Sequence, residues 1–334
     1  MRRHARGVAA ALVLTLALAP LAGAAREGGG EGDLGRKFYL MARSELPLID
    51  DPAVTEYVGR IGRRLLPALG AQQFDYHFYV VQEPVLNAFA VPGGYVFVYS
   101  DLLARVASDD ELAGVLGHEM GHVAGHHILR QQQAGTAWTA AALLGLLLSA
   151  VNPVVGAAAV GAAETAQLRY SREFEQEADY FGLRFASEAG YDPHALGSFF
   201  KQLLIEQRVN PAGVPPYMLS HPITEDRIAH VDTIISAEKL KRPPGRPAAS
   251  PDLPEVQAVA RAAADPPELV VARYKREADA KPNDPESQFL LGRVYQTVGQ
   301  FEAAKIALER CRDLGGLDGR VDRPLGSVYV ALKN

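Results

Sequence analysis

A single cysteine, Cys311, stands among 334 residues. One thiol cannot close an intramolecular disulfide, and it cannot build a cysteine-rich zinc module, so the fold must be held by its core and by other ligands. Tryptophan is as scarce, with Trp138 alone. Excess positive charge is missing too: the formal net charge is −5, which gives no reason to expect nucleic acid as a partner. An uninterrupted apolar run long enough to cross a bilayer is also lacking, since residues 8–19 are few for the purpose and the uncharged stretch 134–163 is cut by Pro153. With 48% hydrophobic and 22% charged residues the composition is that of an ordinary globular chain, long enough for two domains.

The N-terminus carries Arg2, Arg3 and Arg6, the apolar run 8–19, then Pro20 and Ala22-Gly23-Ala24. This is the charged, apolar and small-residue order of an export signal, so cleavage near Ala24 and a periplasmic location are expected, with an uncleaved membrane anchor as the competing reading.

The centre of the sequence is His118-Glu119-Met120-Gly121-His122. On a helix, residues four apart lie one above the other about 6 Å apart, so two imidazoles can clamp one ion. Glu119 is offset around the helix and can reach a water on that ion without being a ligand, as a general base must. A chance match on an amphipathic helix is the plain alternative. Ser108-Asp109-Asp110-Glu111 has the form of a capping box, so a helix is expected from about Asp109. Gly114, Gly117, Gly121 and Gly125 weaken that helix, and their density predicts close packing against other backbone.

Before the motif, residues 34–46 read as a helix, and Asp51-Pro52 opens another with Val54, Tyr57, Val58, Ile61, Leu65 and Leu66 on one stripe. Residues 74–81 read as a strand. Asn87-Ala88-Phe89-Ala90-Val91 and Tyr95-Val96-Phe97-Val98-Tyr99 flank a Pro-Gly-Gly turn and read as a hairpin, either purely structural or offering Asn87, Ala88, Phe89 and Ala90 as an edge that pairs with an extended substrate. The apolar stretch 134–163 reads as a helical hairpin, buried or touching a membrane surface. After it, Glu175 and Asp179 share a helix face, so one can supply the third ligand while the other hydrogen-bonds a ligand histidine.

His118-Glu119-x-x-His122, Asn87-Ala-Phe-Ala-x-Pro-Gly-Gly, Ser171-Arg172-x-x-Glu175-x-Glu177-Ala178-Asp179 and His221-Pro222 occur in order. Together they resemble the HtpX and CAAX prenyl-endopeptidase family of gluzincin metallopeptidases, and within it the soluble periplasmic branch of beta-barrel assembly-enhancing proteases with tetratricopeptide repeats. The resemblance spans residues 34–235. It implies one zinc ion held by His118, His122 and Glu175, Glu119 as general base, and Asp179 as the hydrogen-bond partner of a ligand. It further implies a place near the zinc for His221, as a latent fourth ligand or as a donor to the oxyanion. The longer metzincin motif is excluded, because its third histidine falls on Ile128. His126 and His127 follow the motif and are not assigned to the site.

The proline-rich segment 239–254 reads as a linker. Beyond it Leu291-Gly292-Arg293-Val294-Tyr295 recurs 34 residues later as Leu325-Gly326-Ser327-Val328-Tyr329, which is the tetratricopeptide period. The expected protein is therefore mainly α with a small β-sheet: a signal over 1–24, a zinc peptidase domain over 25–238 and tetratricopeptide-like repeats over 255–334. Its expected work is hydrolysis of misfolded or stalled envelope proteins during outer-membrane protein assembly, with the repeats contacting substrates or assembly machinery and the apolar hairpin in peripheral membrane contact. A chaperone-like assembly factor that holds clients with little proteolysis is the alternative.

Overall fold

A computed structural model describes residues 31–71, 74–134, 172–210, 214–242, 244, 250–315 and 317–333. The expected export signal, residues 135–163 of the apolar hairpin, Ser171 and part of the linker lie outside these residues.

Three strands form the only sheet among the described residues. β1 (His77–Val81) lies parallel to β3 (Tyr95–Tyr99), and β2 (Ala88–Val91) lies antiparallel on the other side of β3. The β2–β3 hairpin is the one expected, and Gly93 and Gly94 make its turn by taking φ of +85° and +84°, which other residues rarely adopt. The parallel β1–β3 pairing was not expected, and β1 begins three residues later than the aromatic run suggested.

Period-two alternation gives the sheet two different faces. Phe89, Val91, Phe97, Tyr99 and Val81 point to one side and pack with Phe38 and Ala42 of α1 (Glu31–Glu45). Val80, Ala88, Ala90, Val96 and Val98 point to the other, into the main core. The aromatic face fills space under α1; the alanines of β2 keep the opposite face shallow, so a helix can approach it closely.

That core is built by α2 (Pro52–Leu65), α3 (Ser100–Arg105) and α4 (Asp109–Ala124), with α5 (His127–Ala134) instead adding Ile128 to the aromatic cluster, and by α6 (Arg172–Glu188), α7 (His194–Val209), the short α8 (Pro216–Ser220) and α9 (Glu225–Ala237). Asp51 caps α2 by accepting from Ala53 N, with Pro52 at the first helical position. The stripe Val54, Tyr57, Val58, Ile61 and Leu65 is buried as its spacing required, while Leu66 falls in a 3-10 turn (Leu66–Leu69).

α4 begins where the capping box placed it. Ser108 Oγ accepts from Glu111 N at 3.1 Å, but the Glu111 carboxylate turns back one residue further than expected, to Ala107 N at 2.7 Å. From Asp109 to Val123 every residue of α4 is buried. Its first turn survives burial because its charge is used: Asp109 accepts from the Tyr57 hydroxyl at 2.8 Å and from Ser250 N at 3.0 Å.

The glycines explain how α4 can be surrounded. A Cβ on Gly182 of α6 would lie 2.8 Å from His118 N, and one on Gly121 would lie 2.9 Å from Ala178 O. The two helices therefore cross backbone to backbone, as the glycine density predicted.

Five further helices follow: α10 (Leu253–Ala264), α11 (Pro267–Ala280), α12 (Pro285–Thr297), α13 (Phe301–Leu314) and α14 (Asp322–Lys333). α10 adds Leu253, Val256, Val259 and Ala260 to the main core, and the others build two smaller apolar clusters. Arg293 of α12 is buried between Asp51 and Glu255, 2.7 Å from each, and ties this layer to the start of α2. Among the described residues no helix is long and apolar enough to cross a membrane.

Candidate metal centre

Three segments far apart in sequence meet over the middle of α4. His118 and His122 project from α4, Glu175 comes from α6, and His221 from the residue that ends α8. All four are buried, and one ligand atom from each lies within 4.8 Å of every other. His118 Nε2 is 3.1 Å from His122 Nε2 and 3.3 Å from His221 Nδ1; Glu175 Oε1 is 3.0 Å from His221 Nδ1 and 3.4 Å from His122 Nε2. Donors placed about 2.0–2.1 Å from one tetrahedral ion stand about 3.3 Å apart, so these separations are those of a coordination shell.

The chemistry of the donors agrees. Asp179 Oδ1 is 2.9 Å from His118 Nδ1, so that nitrogen carries the proton and Nε2 turns a lone pair inward. Burial holds the His122 imidazole well below its usual range, against the pull of Glu175, and so favours the form with a lone pair to offer. Lone pairs about 3 Å apart repel unless a cation lies between them. The residues present thus fit a divalent metal with nitrogen and oxygen ligands.

Glu119 sits beside this cluster rather than within it. Ala90 N–H of β2 donates to its carboxylate, Oε1 lies 3.6 Å from His221 Nε2, and that oxygen is buried with no hydrogen-bond partner among the described residues. Burial raises its pKa above the usual carboxylate range, against the opposing pull of His221 and His118.

A buried cation balances the acids. Arg227 of α9 reaches Asp179 with Nε at 2.7 Å and Nη2 at 2.8 Å, and Glu175 Oε2 with Nη1 at 2.6 Å. Its guanidinium lies 4.5 Å above the Phe200 ring. Burial is the largest single influence and pushes both carboxyls up, but Arg227 together with the neighbouring histidines outweighs it, holding Glu175 well below the usual range and Asp179 below it. At His221 burial works against protonation, and Glu175 and Glu119 outweigh it and raise the pKa. Arg227 is not singled out by any motif in the sequence. Its helix start at Thr224, which caps Arg227 N at 3.2 Å, was legible, but its partners lie 48 and 52 residues away in sequence and leave no local signal.

The remaining sequence candidates are placed as follows. Asn87, Ala88, Phe89 and Ala90 are all buried, and β2 is an edge strand among the described residues. Tyr99 N donates to Asn87 O, so alternation turns the N–H groups of Ala88 and Ala90 away from β3. Both are engaged from within the chain, Ala88 N–H by Asn87 Oδ1 at 3.0 Å and Ala90 N–H by Glu119. His127, left unassigned from sequence, lies with Nδ1 2.9 Å from His122 Nδ1. Burial pushes it down to about 4 despite Glu177.

A pair of imidazoles four apart on one helix, a carboxylate from a second and a base beside them compose the kind of centre found in zinc-dependent peptidases. The sequence profile of peptidase family M48 matches residues 52–235, which contain every residue of this centre, and the chain belongs to that family. The chain is 34% identical over 285 residues to a Vibrio cholerae protein provisionally named a beta-barrel assembly-enhancing protease, covering 81% of this chain and 57% of that one. It is 31% identical to the beta-barrel assembly-enhancing protease of Escherichia coli, over 62% of this chain and 44% of the relative. It is 29% identical to the mitochondrial metalloendopeptidase OMA1 of Schizosaccharomyces pombe, over 56% of this chain and 55% of the relative. The chain spans about half the length of the curated relatives it matches.

Proposed function

We propose that this chain is an exported, periplasmic zinc-dependent metalloendopeptidase that hydrolyses misfolded or stalled envelope proteins during outer-membrane protein assembly. The observation that carries the reading is the convergence of His118, His122 and Glu175 around one point with Glu119 at its side. Membership of the M48 family and likeness to proteins named beta-barrel assembly-enhancing proteases support the reaction and the setting.

His118 Nε2, His122 Nε2 and Glu175 would hold the ion. Zinc there supplies positive charge that polarises a scissile carbonyl and acidifies water. Glu119 takes the proton from the attacking water on Oε1 and returns it to the leaving amine, while Ala90 N–H keeps the carboxylate in place. Asp179 keeps His118 in its binding tautomer, and Arg227 keeps Asp179 and Glu175 ionised. His221 would join His118, His122 and Glu175 as a latent ligand, to be displaced when a substrate binds. An extended peptide pairs along residues 87–90 by donating to the outward carbonyls of Ala88 and Ala90, whose own amides are already engaged. The helices after residue 253 serve as tetratricopeptide-like repeats toward clients or assembly machinery: Leu291 and Val294 recur as Leu325 and Val328, and all four are buried. The apolar segment 134–163 touches a membrane surface, which liposome flotation checks.

Zinc content and casein cleavage with and without chelator, in the parent and in Glu119→Gln, form the test. Zinc bound by both proteins, with cleavage lost about 10²–10⁴-fold in Glu119→Gln, is the expected result. A parent that takes up no zinc on supplementation, or a variant that cleaves as the parent does, overturns the reading. Client holding that survives Glu119→Gln identifies the chaperone-like role instead. His221→Ala raises cleavage if His221 is a latent ligand and lowers it if His221 serves the oxyanion.

A further inference from the structure

His127 is buried, takes no part in the chemistry above, and is built into place by strained backbone. α4 ends at Ala124, and His126 then adopts φ of +52°, a left-handed conformation that residues other than glycine rarely take. This turn folds the chain back over the end of α4 and sets the His127 ring against His122, with Nδ1 facing Nδ1 at 2.9 Å. The pocket is closed around it. Phe174 stacks on the imidazole at 4.5 Å with 8° between planes, and a Cβ on Gly125 would fall 2.4 Å from His127 Nε2. Glu177 Oε2 lies 3.3 Å from that same Nε2 and is held by Arg130 Nη1 at 2.7 Å.

Counting protons decides what this contact does. Two neutral imidazoles meeting Nδ1 to Nδ1 share one proton between those atoms. If His127 donated it, the proton of His122 would sit on Nε2, 3.1 Å from His118 Nε2 in the middle of the ligand cluster, and would block metal binding. If His122 donates it, Nε2 is free to bind, and the proton of His127 falls on its own Nε2, 3.3 Å from the Glu177 carboxylate.

We infer that His127 is a positioning residue: it accepts the Nδ1 proton of His122 and, backed by Glu177, holds that ligand in the tautomer and ring orientation that can bind the metal. His118 receives the same service directly from the Asp179 carboxylate; His122 receives it through an intervening imidazole. The inference rests on the metal reading above and deepens it.

The test uses the full chain, with zinc affinity measured by chelator competition and the His122 tautomer read from imidazole nitrogen NMR of the zinc-free protein. His127→Phe keeps a flat ring against Phe174 but offers no acceptor. It should weaken zinc binding about 10–100-fold and move His122 to a mixture of tautomers. His127→Gln, whose amide oxygen can accept, should recover part of the affinity, and Glu177→Gln should weaken it several-fold. His127→Phe that binds zinc as tightly as the parent with its His122 tautomer unchanged overturns the inference. Should that variant not fold, Glu177→Gln decides alone, since its side chain is only partly buried, and unchanged affinity there overturns it. A parent without zinc fails the metal reading and takes this inference with it; a parent that binds zinc beside indifferent variants sinks the positioning role alone.

Discussion

The α4–α6 pair and the α12–α13 pair both cross at glycine, yet their interiors have little in common. At the first crossing Gly117, Gly121 and Gly182 meet backbone, and the space beside them is filled by His118, His122, Glu175, Asp179 and Arg227. At the second, Gly292 meets the side chain of Leu308, and the surroundings are Phe289, Leu291, Val294 and Ala304. Packing alone accounts for the second. The first carries buried charges that well-packed apolar residues of similar volume would replace at little or no loss of stability, so packing does not account for it. A chain that keeps such groups together keeps them for their chemistry.

Substitutions can break this contrast. The largest effect is expected of Arg227→Met, which leaves Asp179 and Glu175 buried without their cation. About 3–5 kcal/mol of stability should be lost in urea unfolding, and a loss below about 1 kcal/mol would show that the polar interior is not held by charge pairing.

Gly182→Ala comes next. The new Cβ would meet His118 N at 2.8 Å, and backbone cannot turn aside, so the helices must part. A net cost of about 1–3 kcal/mol should remain despite better helix propensity, with weaker zinc binding measured alongside. Gly292→Ala sharpens the comparison. Its Cβ would meet Leu308 Cδ2 and Cγ at 2.6 Å, with backbone no nearer than Leu308 N at 3.3 Å, so a shift of one side chain relieves most of the clash and the gain in propensity offsets the rest. A change within about 1 kcal/mol is expected by the same measurement, and equal penalties at the two glycines would erase the distinction. Arg323→Ala should do least: its pair with Glu56 spans 3.4 Å on the surface, and thermal unfolding should report a change of about 0.5 kcal/mol or less.

What could be read from the sequence follows from how local each feature is. The helix carrying His118, Glu119 and His122 was legible because its cap and its spacing lie within 15 residues. The shared face of Glu175 and Asp179 was legible for the same reason, although which carboxylate meets which imidazole needed the fold: Asp179 faces His118 Nδ1 while Glu175 faces the inner nitrogens. The hairpin announced itself through Pro92-Gly93-Gly94, whereas the parallel pairing of β1 with β3 had no turn to announce it. Arg227 and His127 were passed over. The first is tied to partners across the chain, and the second depends on the left-handed backbone of His126, which nothing in its side chain foretells.

The rim of the small sheet has a consequence of its own. Its outermost strand spends both outward amide hydrogens on the chain's own side chains, Asn87 and Glu119. Such a border gives a second copy no donors to zip onto, which guards the protein against runaway stacking into fibrils. The carboxylate beside the metal centre thus doubles as a seal.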